Sequence, residues 1–240
     1  MSGYSIINHT ISFTQGLFNM FIESLEHRYA TKKFDEKRKI SQEQLDRILE
    51  AGRLSPSSYG LQPYRFVVIE DYKTRQEISP ACYQQPQINA ASHLILLQVR
   101  KTIDIAFINT YIELIATERS MPIASLTEFK NMIIGSTIGH PQAEVFSWSS
   151  KQAYIALGFM IFAAALEKID ACPMEGFHAV NLDELLKTDA DYQTVALLTL
   201  GYRDSQDPFA DFKKVRWSRE HLVVNYPSPK EDELPIKQQQ

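Results

Sequence analysis

The chain has 240 residues, 44% of them hydrophobic and 22% charged, which is ordinary for a globular protein and excludes disorder for the bulk of the chain. Its 25 basic and 29 acidic residues give a net charge of −4, which argues against nucleic acid or an anionic membrane surface as the main partner. Two cysteines, Cys82 and Cys172, cannot form a disulfide framework, and no metal-ligand spacing pairs them. We therefore expect a cytoplasmic protein without a bound metal.

The N-terminal residues 1–19 contain no Lys or Arg and no unbroken apolar core, so they do not have the pattern of a secretory signal. They are expected to form an extension, and Met20 could equally be the start of the chain. The longest uncharged apolar-rich stretch, 152–166, is shorter than the about 20 residues that cross a bilayer. The sequence thus predicts a soluble protein.

Helix and strand patterns follow one another along the chain. Ser41 and Gln44 have the spacing of a capping box, and Leu45, Ile48 and Leu49 form one apolar stripe behind them. The predicted elements, in chain order, are helices over 20–28 and 41–53, a loop over 55–63, a strand over 65–70, a helix over 72–79, a strand over 93–99, helices over 104–119, 125–134 and 143–169, and a strand over 194–200.

Two of these elements carry information about packing. The strand over 93–99 is almost continuously apolar, which suits a strand covered on both faces. The helix over 143–169 is apolar on almost every side, so it is expected to be buried in a core or against a second subunit. Together the elements predict one three-layer domain with helices on both faces of a sheet. The polar tail from Tyr226 is expected to be extended or frayed.

Several common catalytic motifs are absent from the sequence. The glycines form neither a dinucleotide-binding G-x-G-x-x-G nor a P-loop, and no H-E-x-x-H or G-x-S-x-G motif occurs. The six histidines are scattered, and no two lie four residues apart. Hydrolase, metalloenzyme and kinase functions therefore lose support.

Three short patches and one later basic pair remain as candidate binding elements. In the stretch 28–34, Arg28 and Lys32 could direct cations at an anionic ligand, or the stretch could be a solvated basic turn. The loop 55–63 combines two prolines with hydroxyls and free amides that suit a polar ligand edge, or it is an ordinary turn. The stretch 172–177 places backbone amides after a rigid proline, as a planar cofactor requires. Lys214 and Arg216 share one face of an extended chain and could meet one phosphate.

These patches occur in the order and spacing of a known family. The matching stretches are RYATKKF, SPSSYGLQPYRFVV, NAASHLILL, SKQAYIALG, CPMEGF, and LGYR followed by KKVR. Together they resemble the nitroreductase family of FMN-dependent flavoproteins, and most closely its oxygen-insensitive NAD(P)H nitroreductase and dihydropteridine reductase group. The resemblance runs from about Met20 to Val224 and omits the N-terminal extension and the polar tail.

The resemblance implies a fold, a domain layout and an assembly. The expected fold is α+β, with three α/β/α layers and a central, mostly antiparallel sheet. Residues 20–225 would form the FMN-binding domain, between an extension over 1–19 and a tail over 226–240. The family is a domain-entwined homodimer with FMN at the interface, so the apolar helix over 143–169 would be covered by the second subunit.

The resemblance also assigns roles to individual residues. Arg28, Lys214 and Arg216 would grip the FMN phosphate, while Lys32 would point at the N1/O2 edge of the flavin ring. The amides of Glu175 and Gly176 would lie near flavin N5 and O4. The complete implied cofactor-binding set is Arg28, Tyr29, Ala30, Thr31, Lys32, Pro56, Ser57, Ser58, Gln62, Gln84, Gln152, Pro173, Met174, Glu175, Gly176, Lys214 and Arg216.

Other members of this set reach the cofactor from different sides. The loop carrying Pro56, Ser57 and Ser58 would cross to the flavin of the neighbouring subunit, and Gln152 would meet the ribityl hydroxyls. Gln84 would bond to the pyrimidine edge. Two positions depart from the family pattern. Ala30 stands where a hydroxyl residue is common, and Gln87 stands where close relatives carry Lys, which leaves Lys32 as the lone cation at that edge.

The implied activity is a ping-pong two-electron transfer from NADH or NADPH, through FMN, to a nitroaromatic, a quinone or a related small oxidant. No catalytic side chain is expected, because the cofactor carries the hydride chemistry. Tyr59, Ile133 and Ile134 are the predicted walls of the substrate channel. The alternatives are a flavoenzyme of the same fold that uses another oxidant, in dehalogenation or oxygen-dependent flavin chemistry, and a flavin-binding protein without turnover.

Overall fold

The computed structural model describes residues 19–226, of which 19–27 are helical (α1). The further helices are α2 Gln42–Arg53, α3 Tyr72–Ile78, α4 Pro86–Ala90, α5 Ile105–Glu118, α6 Thr127–Thr137, α7 Gln142–Leu166, α8 Ala179–Leu185 and α9 Arg219–Leu222. The strands are β1 Tyr64–Ile69, β2 His93–Arg100, β3 Asp170–Met174 and β4 Tyr192–Gly201. The predictions for the extension and the tail fall on residues 1–18 and 227–240, outside the described residues.

The four strands form one sheet in the order β1-β2-β4-β3, and every neighbouring pair is antiparallel. Strand β2 is buried at all eight positions because helices cover both faces of the sheet. Its alternating side chains divide the core: Ile95 and Leu97 pack with α2 and α7, whereas Leu94 and Leu96 pack with α3, α4 and α8. The predicted three-layer fold with a mostly antiparallel sheet is confirmed.

The predicted capping box is present at the start of α2. The Ser41 hydroxyl accepts a hydrogen bond from the Gln44 N–H, and the Gln44 side chain accepts one from the Ser41 N–H. Near the other end of this helix, Gly52 lets α2 approach its neighbours closely. A Cβ at this position would lie 2.8 Å from the Met160 side chain and 3.0 Å from the Phe66 ring. The lack of a side chain at Gly52 therefore fixes how α2 packs on α7 and β1.

The long helix α7 packs against α2 and all four strands. By length and composition alone α7 could cross a membrane, a test that the core helix of a soluble protein also passes. Its inner face, including Ala153, Leu157 and Met160, is buried in the first core cluster. Its outer face leaves Ile155 and Phe159 40% and 45% exposed. Within residues 19–226, one side of this helix is buried, and apolar residues on the other side stay partly exposed.

Strand β3 follows the long helix α7 after a short turn. Helix α7 ends at Leu166, because Lys168 adopts a left-handed conformation with φ 56° and the Ile169 N–H turns back to the Ala164 carbonyl. Strand β3 then begins at Asp170, directly after residue 169, where the long helix was expected to end. The short helices α4, α8 and α9 were not predicted.

Candidate cofactor site

Three cations that lie far apart in sequence meet at one cavity of about 360 Å³. Arg28 follows helix α1, whereas Lys214 and Arg216 belong to the irregular segment that follows β4. The Lys214 ammonium donates a hydrogen bond to the Arg28 carbonyl, which joins the two segments directly. We call these three residues the cationic cluster. Within the described part of the chain, none of them forms an ion pair with a carboxylate.

The cations of the cluster repel one another, and the Glu26 carboxylate at the same cavity only partly offsets this repulsion. Burial, followed by the nearby Arg216, lowers the pKa of Arg28. Burial and the charges of Arg28 and Arg216 lower the pKa of Lys214 as well. The Arg28 Nε is buried and has no hydrogen-bond partner. Because Arg216 lowers the pKa of Arg28 and both arginines lower the pKa of Lys214, an anion in this cavity would relieve a repulsion between cations.

A buried carboxylate accepts several hydrogen bonds from the stretch 28–34. Asp207 is 2% exposed and accepts hydrogen bonds from the Tyr29 hydroxyl (2.9 Å) and from the N–H groups of Lys32 (2.9 Å), Lys33 (3.0 Å) and Phe209 (3.0 Å). Burial alone would raise the pKa of Asp207, but these hydrogen bonds lower it below its usual value. No sequence pattern identified Asp207. The same contacts direct the Tyr29 hydroxyl to this carboxylate.

The middle of the stretch 28–34 lies against strand β3. Ala30 forms a bridge with Ala171, and the Thr31 N–H donates to the Ala171 carbonyl (3.3 Å). The Thr31 side chain is fully buried. The Lys32 Nζ lies 3.8 Å from the Cys172 Sγ, so its ammonium is directed toward the start of the stretch 172–177. Its place at the N1/O2 edge of a flavin stays a prediction.

The buried thiol of Cys172 has two polar neighbours, Lys32 and Gln87. Burial raises the pKa of the Cys172 thiol, although Lys32, Arg28 and Gln87 each act to lower it. The Gln87 Oε1 is buried without a hydrogen-bond partner. Gln87 therefore lies beside Cys172, and its correspondence to a lysine of close relatives stays a prediction.

The stretch 172–177 is held at Glu175 and Gly176, the two residues whose amides were predicted to meet the flavin. The Glu175 carboxylate accepts a hydrogen bond from the Tyr154 hydroxyl on α7 (2.6 Å), and the Gly176 carbonyl accepts one from the Gln85 Nε2 (2.6 Å). A Cβ at Gly176 would lie 3.1 Å from the same Gln85 nitrogen. Neither Tyr154 nor Gln85 was predicted from the sequence, although both fix the backbone around the amides of interest.

The loop 55–63 lies apart from the cationic cluster, and none of its residues lines that cavity. Its shape is held by neighbouring side chains. The Gln152 Oε1 accepts from the Ser58 N–H (2.8 Å), the Tyr111 hydroxyl donates to the Tyr59 carbonyl (2.7 Å), and the Gln62 Nε2 donates to the Arg53 carbonyl (2.7 Å). Gln152 and Gln62 therefore support the loop, and their predicted contacts with a cofactor stay predictions.

The remaining predicted residues differ in exposure. Gln84 is exposed, with a left-handed φ of 51°. Ile133 is fully buried where α6 packs against α5, so it presents no surface to a substrate in the described chain. Tyr59 and Ile134 are partly buried at the border of the same cluster, and their assignment to a substrate channel stays a prediction.

Curated relatives cover most of this chain. A protein of Staphylococcus haemolyticus named "Putative NAD(P)H nitroreductase" is 36% identical over 211 residues, which span 84% of this chain and 95% of the relative. A protein of the same name from Staphylococcus aureus strain USA300 is 34% identical over 219 residues, which span 88% of this chain and 96% of the relative.

Solved structures share the fold. A nitroreductase-like protein from Streptococcus mutans matches with a TM-score of 0.78 at 17% identity, covering 88% of this chain and all of that one. A protein from Exiguobacterium sibiricum, described as "a putative nitroreductase in complex with FMN", matches with a TM-score of 0.74 at 23% identity, covering 86% and 97%. At these identities the likeness establishes the fold alone.

The family model named "Nitroreductase family" matches residues 25–202, which include the stretch 28–34, the loop 55–63, the stretch 172–177 and every strand. Together with relatives about one-third identical over most of their length, this match places the whole sheet and most of the candidate site within one family. The chain therefore belongs to the nitroreductase family.

Proposed function

We propose that this protein is an FMN-dependent NAD(P)H oxidoreductase that reduces nitroaromatics, quinones or related small oxidants by two electrons in a ping-pong cycle. The observation that carries the proposal is the cationic cluster: Arg28, Lys214 and Arg216 face one cavity without a carboxylate partner among the described residues. Residues 20–225 would form the FMN-binding domain. A cytoplasmic location is proposed with it, in agreement with the family and the free cysteines.

The chain offers groups that suit both ends of FMN. The phosphate of FMN carries close to two negative charges at neutral pH, and three cations with an unpartnered Arg28 Nε suit such an anion. Each charge-assisted hydrogen bond of this kind contributes about 1.5–3 kcal/mol. For the flavin ring, Lys32 would supply a cation and the 174–176 backbone would supply amides. The unpartnered Gln87 Oε1 lies in the same region.

The protein's part in catalysis is to bind and orient. When bound, FMN would supply the hydride chemistry between NADH or NADPH and the oxidant. The ammonium of Lys32 would stabilise negative charge at the pyrimidine edge, which is an electrostatic role that needs no proton transfer. Tyr154 and Gln85 hold Glu175 and Gly176 in place by hydrogen bonds. The backbone amides of Glu175 and Gly176 therefore stay oriented.

We further propose a homodimer. The outer face of α7 exposes Tyr154, Ile155 and Phe159, and the segment 209–226 exposes Phe212, Val215 and Trp217 by more than two-thirds. Exposed apolar patches of this kind mark protein interfaces. The loop 55–63 has no residue at the cavity of its own chain's cationic cluster. In a homodimer, this loop would be available to a cofactor held by the second subunit.

Flavin reduction and reoxidation test the proposal directly. The purified protein should be yellow, lose its flavin absorbance when NADH or NADPH is added without oxygen, and regain that absorbance when a nitroaromatic or a quinone follows. Protein that binds FMN but is not reduced by either nucleotide would instead be a flavin-binding protein without turnover. Protein that neither contains FMN nor takes it up would contradict both functions.

A further inference from the structure

The cationic cluster depends on the alignment of two segments that lack regular structure. Arg28 is continuous with the extended stretch 28–34, and Lys214 and Arg216 follow the irregular segment 203–212. Neither segment is part of a helix or of the four strands. The distance between the two halves of the cluster therefore depends on individual contacts between the segments rather than on a shared helix or strand.

Asp207 is the side chain that joins these two segments. Its Oδ2 accepts three hydrogen bonds from the first segment, from the Tyr29 hydroxyl and the N–H groups of Lys32 and Lys33. Its Oδ1 accepts a hydrogen bond from the Phe209 N–H of the second segment. The carboxylate is almost completely buried. Four donors on one buried carboxylate specify a single geometry, because losing any one leaves an unmet polar group.

The Lys214 ammonium and the Arg203 guanidinium also contact residues 28 and 29, at the Arg28 carbonyl and the Tyr29 ring. The backbone contacts between the two segments lie farther from Arg28. Phe34 forms a bridge with Arg203, and the Asp204 N–H donates to the Lys33 carbonyl (2.9 Å). The Tyr29 hydroxyl, in contrast, belongs to the residue that directly follows Arg28. Asp207 thus ties the segments together at the end where the cations must converge.

We propose that Asp207 is a positioning residue that aligns Arg28 with Lys214 and Arg216 for a phosphate group. The inference rests on the proposed function, in which that phosphate belongs to FMN. The inference predicts that removing the Asp207 charge weakens FMN binding, whereas an effect of charge alone would strengthen it. Removing a nearby negative charge makes the cavity more positive and by itself would tighten anion binding, whereas loss of alignment weakens it.

The test compares FMN with riboflavin, which has the same ring and ribityl chain but no phosphate. Flavin-free full-length protein would be titrated with each flavin and followed by flavin fluorescence. The variants are Asp207→Asn, Tyr29→Phe, which removes one donor to the same carboxylate, and the control Asp204→Asn. Asp204 lies on the same segment but pairs with Lys33 at 3.5 Å, away from Arg28.

We expect Asp207→Asn to raise the Kd for FMN by at least about tenfold and to leave the Kd for riboflavin within about twofold. Tyr29→Phe should raise the Kd for FMN by about threefold, and Asp204→Asn should change neither constant. The inference is overturned if Asp207→Asn binds FMN as tightly as the wild type or more tightly, or if it loses both flavins equally.

The outcomes of this test separate the inference from the proposed function. If Asp207→Asn does not fold, Tyr29→Phe decides, and an unchanged Kd for FMN in that variant overturns the inference. If the wild type does not prefer FMN to riboflavin, the proposed phosphate site is wrong and the inference fails with it. Wild-type preference for FMN that persists in Asp207→Asn contradicts the role of Asp207 alone.

Discussion

The cationic cluster and the loop 55–63 were both predicted to bind a cofactor, yet they differ in how their polar groups are satisfied. The cluster leaves like charges side by side and the Arg28 Nε without a partner. In the loop, the Ser58 N–H and the Tyr59 carbonyl are already paired with Gln152 and Tyr111. The difference indicates two kinds of binding surface.

Cations placed side by side point to an anionic ligand held by the same chain, because a bound anion would reduce their repulsion. A loop whose own polar groups are paired has a fixed shape and needs no ligand to keep it. Such a loop is suited to contact a surface outside its chain. In the proposed homodimer, the cluster would hold its own chain's FMN phosphate and the loop would contact the FMN of the second subunit.

The largest expected effect concerns the second subunit. Phe159→Glu places a charge on the exposed apolar face of α7, where an interface would bury it. An uncompensated charge buried in this way costs more than about 3 kcal/mol. Sedimentation velocity at micromolar concentration should show dissociation, together with loss of FMN.

The matched control is Leu185→Glu. Leu185 is also an exposed apolar residue, but it lies on α8, which packs on the opposite face of the sheet from α7. This variant should remain dimeric and retain FMN. A folded, FMN-loaded wild-type monomer at the same concentration would remove the proposed role of the loop.

The next effect concerns the cationic cluster. Arg216→Ala should purify pale, because losing one charge-assisted hydrogen bond costs about 1.5–3 kcal/mol, or about 10- to 150-fold in FMN affinity. Turnover should return to near normal when excess FMN saturates the site. Arg219→Ala, which removes a cation from α9 outside this cavity, is the control and should bind FMN normally. Normal FMN affinity in Arg216→Ala would mean that Arg216 is a solvated surface charge.

A smaller effect is expected at Lys32, which is directed toward the ring end of the site. Lys32→Ala should retain FMN better than Arg216→Ala. Its flavin reduction by NADH or NADPH should be slower and its flavin potential lower, because the missing charge favours the reduced ring. Stopped-flow reduction and a redox titration measure the two quantities. Unchanged values for both would remove Lys32 from the ring edge.

The smallest effect is expected at Cys172. Its thiol is buried and its pKa is raised, so it is not a nucleophile at neutral pH. Cys172→Ser should keep both FMN and turnover, since hydride transfer needs no thiol. Loss of turnover with FMN content intact would show that the contact between Cys172 and Lys32 matters for the reaction.

The parts of the fold that were predictable have a local signature. Strand β2 is a continuous apolar run, and the start of α2 is marked by Ser41 and Gln44 three residues apart. Strand β3 has only a weak local pattern, because it has five residues and contains Pro173, which has no N–H for a ladder. Among the four strands, β3 is paired with β4 alone, and this edge position tolerates that proline.

The site was predictable where a motif is contiguous and not where contacts are long-range. The convergence of Arg28 with Lys214 and Arg216 followed from a family resemblance, since their separation in sequence carries no local pattern. Three of the four donors to Asp207 are separated from it in sequence by between 174 and 178 positions. No short sequence pattern can therefore reveal its role. Ile133 was misplaced because an apolar residue on a helix has the same pattern on a channel wall as in a core.

A crystal structure of the protein with FMN tests the central comparison most directly. We predict a phosphate in contact with Arg28, Lys214 and Arg216 of one chain, and the loop 55–63 of the second chain against the same flavin. A phosphate bound elsewhere, or a loop 55–63 that contacts the flavin of its own chain, would contradict the account.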